Sequence, residues 1–261
     1  MARHDEAGGL DGVIAADTEI SHVDGEAGRL LLRGLDLEVA TRRFDFEGLA
    51  AHLWHGLVPA ADDPPALRSA IGEARCRAFE RLGDLLPAAR GLTPTEGLRL
   101  LLAGLADAEE GSHAILAVGG MPVFVAALAR QGDGEAPVPP DPALGHSADF
   151  LRMLDGRPAA PARIAALDSY LLTVADHGLN ASTFAARVVA STRAGVFSAV
   201  VAAICALKGP LHGGAPGPVL DMLDAIGEPS AIESWLTAQL AAGARLLGFG
   251  HRVYRGRDPR A

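Results

Sequence analysis

Val196–Pro218 reads VFSAVVAAICALKGPLHGGAPGP, and its two halves make different demands. Val196–Leu207 is apolar on every face, which predicts a helix buried in a core or at a subunit interface. Lys208, Gly209 and Pro210 end it in order: a cation in the last turn, a glycine, then a residue that cannot continue a helix. His212 follows between glycines, where backbone can approach a ligand closely. Another helix is expected from about Pro216 or Pro218. A buried helix that hands a histidine to a glycine-rich turn is a rigid scaffold carrying a reactive group on a loop.

The rest of the chain extends the helical reading. Of 261 residues, 49 % are apolar but only 5 % aromatic. Ala and Leu dominate, so strong helix formers outweigh strand formers and the fold class is all-α. Thr18–Gly34 is the exception: two short runs flank Asp24-Gly25 and predict a small β-hairpin. FEGLAAHLWHGL, PPALRSAIGEARCRAFERL and TPTEGLRLLLAGLADAEEG then carry helical periods, the last opened by a capping box at Thr93 and Glu96. HAILAVGGMPVFVAALARQG predicts a buried helix softened at Gly119-Gly120, and the Pro-rich Gly132–His146 predicts a surface connection. Ile164, Leu167, Leu171 and Val174 form an apolar stripe on a helix that closes before His177-Gly178. Asn180 or Ser182 caps the next helix, and AIESWLTAQLAAGARLL is the last.

The formal charge of −9 argues against a general nucleic-acid or anionic-membrane binder. The tail reverses that balance locally. Arg245, Arg252, Arg255, Arg257 and Arg260 stand against Asp258 alone, which suggests one anionic ligand. Cys76 and Cys205 are far apart and in no metal or redox spacing; Cys205 reads as a packed free thiol, consistent with a reducing compartment. The N-terminus has no apolar signal region. The apolar runs Ala114–Ala129 and Val196–Leu207 fall short of the roughly 20 residues of a membrane span. A cytoplasmic protein is expected.

Three histidines, His177, His212 and His251, each follow a predicted helix and adjoin glycine. A helix N-terminus just beyond His212 favours a neutral imidazole that can donate to an oxyanion. Arginines after His251 suit carboxylate or phosphate clamping. A zinc site is the rival for three histidines, but their spacing matches no metal motif and neither Cys nor paired Glu supports it.

GPLHGGA (209–215) and GFGHRVYRGRDPRA (248–261), preceded by ADHGLNASTFAARV (175–188), resemble the citrate synthase family of the bacterial type. ISHVDGEAGRLLLRG (20–34) and LWHG (53–56) resemble it too. The resemblance implies an almost all-helical homodimer with two domains: a large one over about 1–212 and the start of a small one over 213–261. It implies condensation of acetyl-CoA with oxaloacetate to citrate and CoA, with no cofactor beyond the acyl-CoA substrate and no metal. His212 then matches the histidine on the thioester carbonyl, His251 the histidine on the oxaloacetate carbonyl, and His177 an oxaloacetate-binding histidine. Arg260 matches a carboxylate-binding arginine and Arg255 one near the CoA phosphates. Gly248, Phe249 and Gly250 match the segment that cradles adenine, and Asn180 and Ser182 line the site.

Two departures qualify this reading. GGAPGP follows His212 where many relatives have GGANE. Family members also continue beyond the DPR motif, and the catalytic Asp and further substrate-clamping arginines belong to that later part. Asp176, Asp221, Asp224 and Asp258 fall in the wrong motifs to replace that base. Other readings are a 2-methylcitrate synthase using propionyl-CoA, an inactive relative that only dimerises, and a nucleic-acid patch in the tail, which the overall charge disfavours.

Overall fold

The computed structural model describes residues 16–107, 112–210, 212, 213, 216–244, 246, 248 and 253–261. It opens with a three-stranded antiparallel meander, β1 (Ser21–Asp24), β2 (Arg29–Leu32) and β3 (Leu35–Asp36). The predicted hairpin is present, but its turn is Gly25–Gly28, closed where Asp24 Oδ1 accepts from the Ala27 amide at 2.9 Å. The third strand was not predicted. It forms because Arg33 and Gly34, at φ +48° and +84°, reverse the chain again. Leu30 and Leu32 point to one face and form a small core with Leu37 and Ala40 of α1 (Leu37–Arg43) and Leu49 and Leu53 of α2 (Phe46–Trp54). Arg33 Nη1 donates to the carbonyls of Leu53 (3.0 Å) and His55, which satisfies orphan acceptors at the end of α2.

Helices follow: α3 (Pro64–Glu80), α4 (Leu82–Leu85), α5 (Pro94–Ala103), α6 (His113–Gly132), α7 (His146–Asp155), α8 (Pro161–Thr173), α9 (Ala181–Ser191), α10 (Val196–Leu207), α11 (Pro216–Ile226) and α12 (Ile232–Ala241). The Thr93–Glu96 capping box is present, with the Thr93 amide donating to Glu96 Oε2 at 3.1 Å. Three single turns of 3-10 helix interrupt the connections. α7 was not predicted, because its signal is a single apolar face directly after a Pro-rich loop.

The main core surrounds α6, whose Val123, Phe124, Ala126 and Ala127 are buried against α3, α5, α7 and α10. At 20 residues α6 is longer than the apolar run predicted, and by length and composition it could cross a membrane. Its uniform apolarity has another cause here: neighbours cover it on most sides. Gly119 permits a close approach, since a Cβ there would lie 2.7 Å from the Ala74 methyl of α3.

Beneath the exposed 132–146 connection lies a buried polar cluster the sequence did not announce. Arg75, fully buried on α3, donates through Nε to Asp149 Oδ2 at 2.8 Å and through Nη2 to the Leu144 carbonyl at 2.7 Å. Asp149, also fully buried, accepts from the Asp141 amide and from Arg152. His146 stacks on Phe46 with ring centroids 3.8 Å apart. Arg75 Nη1 and His146 Nδ1 have no protein partner among the described residues. Burial, and then the Arg75 charge, push the His146 ring down to about 3. The unfolded ring takes up its proton near 6.5, so this ring contributes stability above that value, which is lost as pH falls toward 3. Urea unfolding at pH 7 and pH 4 should show His146→Phe removing about 3 kcal/mol of that acid loss.

α10 keeps its predicted range and its Lys208–Gly209 ending. Its N-terminus is capped from a distance. Gly195, at φ +105°, offers no side chain, and Asp107 instead accepts from the Phe197 amide and the Ser198 hydroxyl, both at 2.8 Å. Asp107→Ala should destabilise the protein by about 1–2 kcal/mol in urea unfolding, with Asp107→Asn intermediate. Phe197, Ala199 and Ile204 face the core, but Val196 and Leu207 are exposed. So is Cys205, which corrects its reading as a packed thiol. The α8 stripe is likewise only partly covered: Ile164, Leu167 and Leu171 are half-buried and Val174 is exposed, while the buried residue of the helix, Leu172, lies outside the stripe.

Candidate active site

The stretch from Asp176 to Ser182 joins two groups of predicted site residues. It leaves α8 and enters α9, whose cap is Asn180: its Oδ1 accepts from the Thr183 amide at 2.9 Å and from the Ser182 hydroxyl at 2.8 Å. This resolves the choice between Asn180 and Ser182 as cap. His212, in the turn after α10, places Nε2 at 2.9 Å from Ser182 Oγ. α9 and α10 pack side by side, which brings His212 to the first turn of α9.

Five residues before Ser182, His177 Nε2 lies 3.0 Å from Tyr254 Oη. The rings meet edge to face at 5.5 Å. Tyr254 is buried, and burial, with Asp258 beside it, pushes its hydroxyl up, so it stays a donor. The Arg260 guanidinium stands 6.0 Å over the Tyr254 ring. Two parallel bonds hold it to Asp258, Nε to Oδ1 at 3.0 Å and Nη2 to Oδ2 at 2.6 Å, and the Asp258 hydrogen bond holds its charge firmly in place. An incoming carboxylate must therefore share or displace Asp258. Tyr254 was the residue missed in the sequence: nothing local marks a tyrosine as the partner of a histidine 77 positions away.

The other predicted groups divide. Arg255 is exposed beside Glu26, its Nε 3.4 Å from Oε1. Gly248 has φ +82°, a turn that suits glycine. His251, Phe249 and Gly250 lie outside the described residues. Among the described residues no group of three or more His, Cys, Asp or Glu side chains is arranged to hold a metal ion. A surface hollow of about 1090 Å³ between Phe79, Leu86, Arg90 and Gln131 holds none of the residues above. A second, of about 590 Å³, runs between α9 and α10 and reaches Ser182.

Comparison with known proteins identifies the family and the fold. The family model described as citrate synthase, C-terminal domain, matches residues 9–261. The chain is 36 % identical to a citrate synthase of Haloferax volcanii over 97 % of itself and 71 % of that protein. It is 37 % identical to a 2-methylcitrate synthase of Mycobacterium tuberculosis over 99 % of itself and 68 % of that protein. The citrate synthase structure from Thermotoga maritima superposes with a TM-score of 0.81 at 34 % identity, covering 97 % of this chain and 69 % of that one. A Thermoplasma acidophilum citrate synthase, solved with carboxymethyl coenzyme A and oxaloacetate, superposes with a TM-score of 0.81 at 26 % identity, covering 97 % and 70 %. A mostly helical fold, two histidines at helix ends and these matches across nearly the whole chain have one explanation: the chain belongs to the citrate synthase family.

Proposed function

We propose that the protein condenses an acyl-CoA with oxaloacetate, and that acetyl-CoA is the acyl donor; water that enters after the condensation hydrolyses the resulting thioester, giving citrate and CoA. The observation that carries this reading is the Asn180–Ser182–His212 chain. The Ser182 hydroxyl has one proton and two acceptors within reach, Asn180 Oδ1 and His212 Nε2. In the structure that proton goes to Asn180 Oδ1; turned instead toward His212 in the reacting complex, it makes Nε2 an acceptor and leaves the ring proton on Nδ1. That N–H then donates to the thioester oxygen as the α-carbon loses its proton, where charge develops and stabilisation counts most. In the same reading His177, aligned by Tyr254, and Arg260 bind oxaloacetate. His251 donates to its ketone, Arg255 meets the CoA phosphates, and the Gly248–Gly250 segment meets adenine. Asp176 and Asp258 are engaged by Ser21 and Arg260, so neither is assigned as the base; in this reading the α-proton passes to a carboxylate base of the kind that family members carry after the DPR motif.

The part beyond His212, with α11 and α12, serves as the mobile small domain in this proposal, and its closure excludes water. The apolar surface of α9 and α10, with Val188, Val196 and Leu207 exposed, is the face of a homodimer. The free Cys76 and Cys205 support a cytoplasmic location. Relatives named 2-methylcitrate synthase support a second reading with propionyl-CoA. The two donors differ by one methylene, about 1–3 kcal/mol in a pocket. Thiol release should depend on both oxaloacetate and acyl-CoA, and relative turnover of acetyl- and propionyl-CoA separates the donors. No oxaloacetate-dependent release and no oxaloacetate binding would leave a dimerising protein without the activity. Light scattering on the purified protein tests the dimer.

A further inference from the structure

We propose that the β1–β2 hairpin is a positioning element of the ketoacid site, Ser21 setting the His177 loop and Gly25 setting the segment that carries Tyr254 and Arg260. The inference rests on the functional reading above. Ser21, buried on β1, donates to Asp176 Oδ1 and accepts from the Gly178 amide at 3.1 Å. The Gly178 amide also donates to Asp176 Oδ1 at 2.8 Å. Both neighbours of His177 are thereby tied to one strand, across more than 150 residues of sequence.

The turn that follows β1 meets the other half of the site. The Gly25 carbonyl accepts from the Arg255 amide at 3.1 Å. A Cβ on Gly25 would run into the Val253 carbonyl oxygen and come within 2.8 Å of Val253 Cγ1. Gly25 is not among the positive-φ residues, so the turn itself does not call for glycine there; the close approach of Val253–Arg255 does. Gly28 borders the same segment, 2.9 Å from Cβ to the Arg257 carbonyl oxygen. Tyr254, between the two backbone contacts, is the residue that reaches His177. The platform is stiff, because β1 and β2 pair along four residues and Leu30 and Leu32 anchor them in the core. A short rigid hairpin thus sets the distance from the His177 ring to Tyr254 and Arg260. The Arg255–Glu26 pair is too exposed to do this.

The test uses the whole protein and calorimetric titration with oxaloacetate and, separately, with acetyl-CoA. Gly25→Ala should weaken oxaloacetate binding on the order of 10²-fold, the scale of an ångström-sized misplacement. Ser21→Ala should weaken it about fivefold, the scale of a lost hydrogen bond. Acetyl-CoA affinity and the thermal midpoint of Ser21→Ala should stay unchanged, and Ser21→Thr should restore oxaloacetate binding. Ala27→Ser, in the same turn, should behave as the parent. Parent-like oxaloacetate affinity in both Ser21→Ala and Gly25→Ala overturns the proposal. So does a Ser21→Ala variant that loses both ligands and thermal stability together, which marks a merely structural role. A parent protein that binds no oxaloacetate fails at the earlier step, and the hairpin inference falls with it.

Discussion

Asp149→Ala should lower the unfolding free energy by about 3–5 kcal/mol, among the largest single-residue effects in this protein. Asp149 and Arg75 are both fully excluded from solvent. Removing the carboxylate leaves the Arg75 charge buried, held among the described residues only by the Asp141 and Leu144 carbonyls. It also frees the Asp141 amide and leaves Arg152 only its bond to the Pro139 carbonyl among the described residues, so the tie of the 132–146 connection to the core weakens. The cost comes from the stranded charge rather than from the strength of the pair. Replacing both members, Arg75→Met with Asp149→Leu, should therefore recover much of the loss. Arg152→Ala should cost less, because Arg152 reaches solvent and can leave its water shell partly intact. Urea unfolding of the two single variants and the double variant measures the coupling. Equal losses for Arg152→Ala and Asp149→Ala would reject the stranded-charge account.

His212→Ala should reduce kcat about 10²–10⁴-fold, with a small change in acyl-CoA affinity. In the proposed reaction the imidazole acts on charge that appears only as the enol forms, so its loss is expected to fall on the rate rather than on binding. Ser182→Ala should act in the same direction and less severely, because it removes the partner that assigns the ring proton while leaving the ring. Ser182→Thr keeps a hydroxyl and should retain more activity than Ser182→Ala. Steady-state thiol release with saturating oxaloacetate reads these rates. Unchanged kcat in His212→Ala would remove the residue from the chemistry.

The helices were legible because their signals are local. The capping box at Thr93, the Asn180 cap and the Lys208-Gly209-Pro210 stop each act within one turn, and the structure repeats them. The third strand illustrates the limit. Arg33 and Gly34 both take positive φ, and only glycine advertises that conformation in sequence. α7 escaped because ten residues with one apolar face resemble a loop until Arg75 and Asp149 pin them.

The same division runs through the site. Residue types and their order, His177, Asn180, Ser182, His212 and Arg260, are properties of the chain, and they sufficed to mark a helical protein with histidines at helix ends. Their partners are not. Tyr254 on His177, Ser182 on His212, Asp107 on the end of α10 and Ser21 on Asp176 join positions 30 to 155 residues apart. No local period or turn rule encodes such pairs. They exist because helices and a hairpin pack at set distances, and a buried polar group must take whichever partner that packing supplies. Cys205 shows the converse: a helix apolar on every face says that it packs, and only its neighbours decide which face stays open.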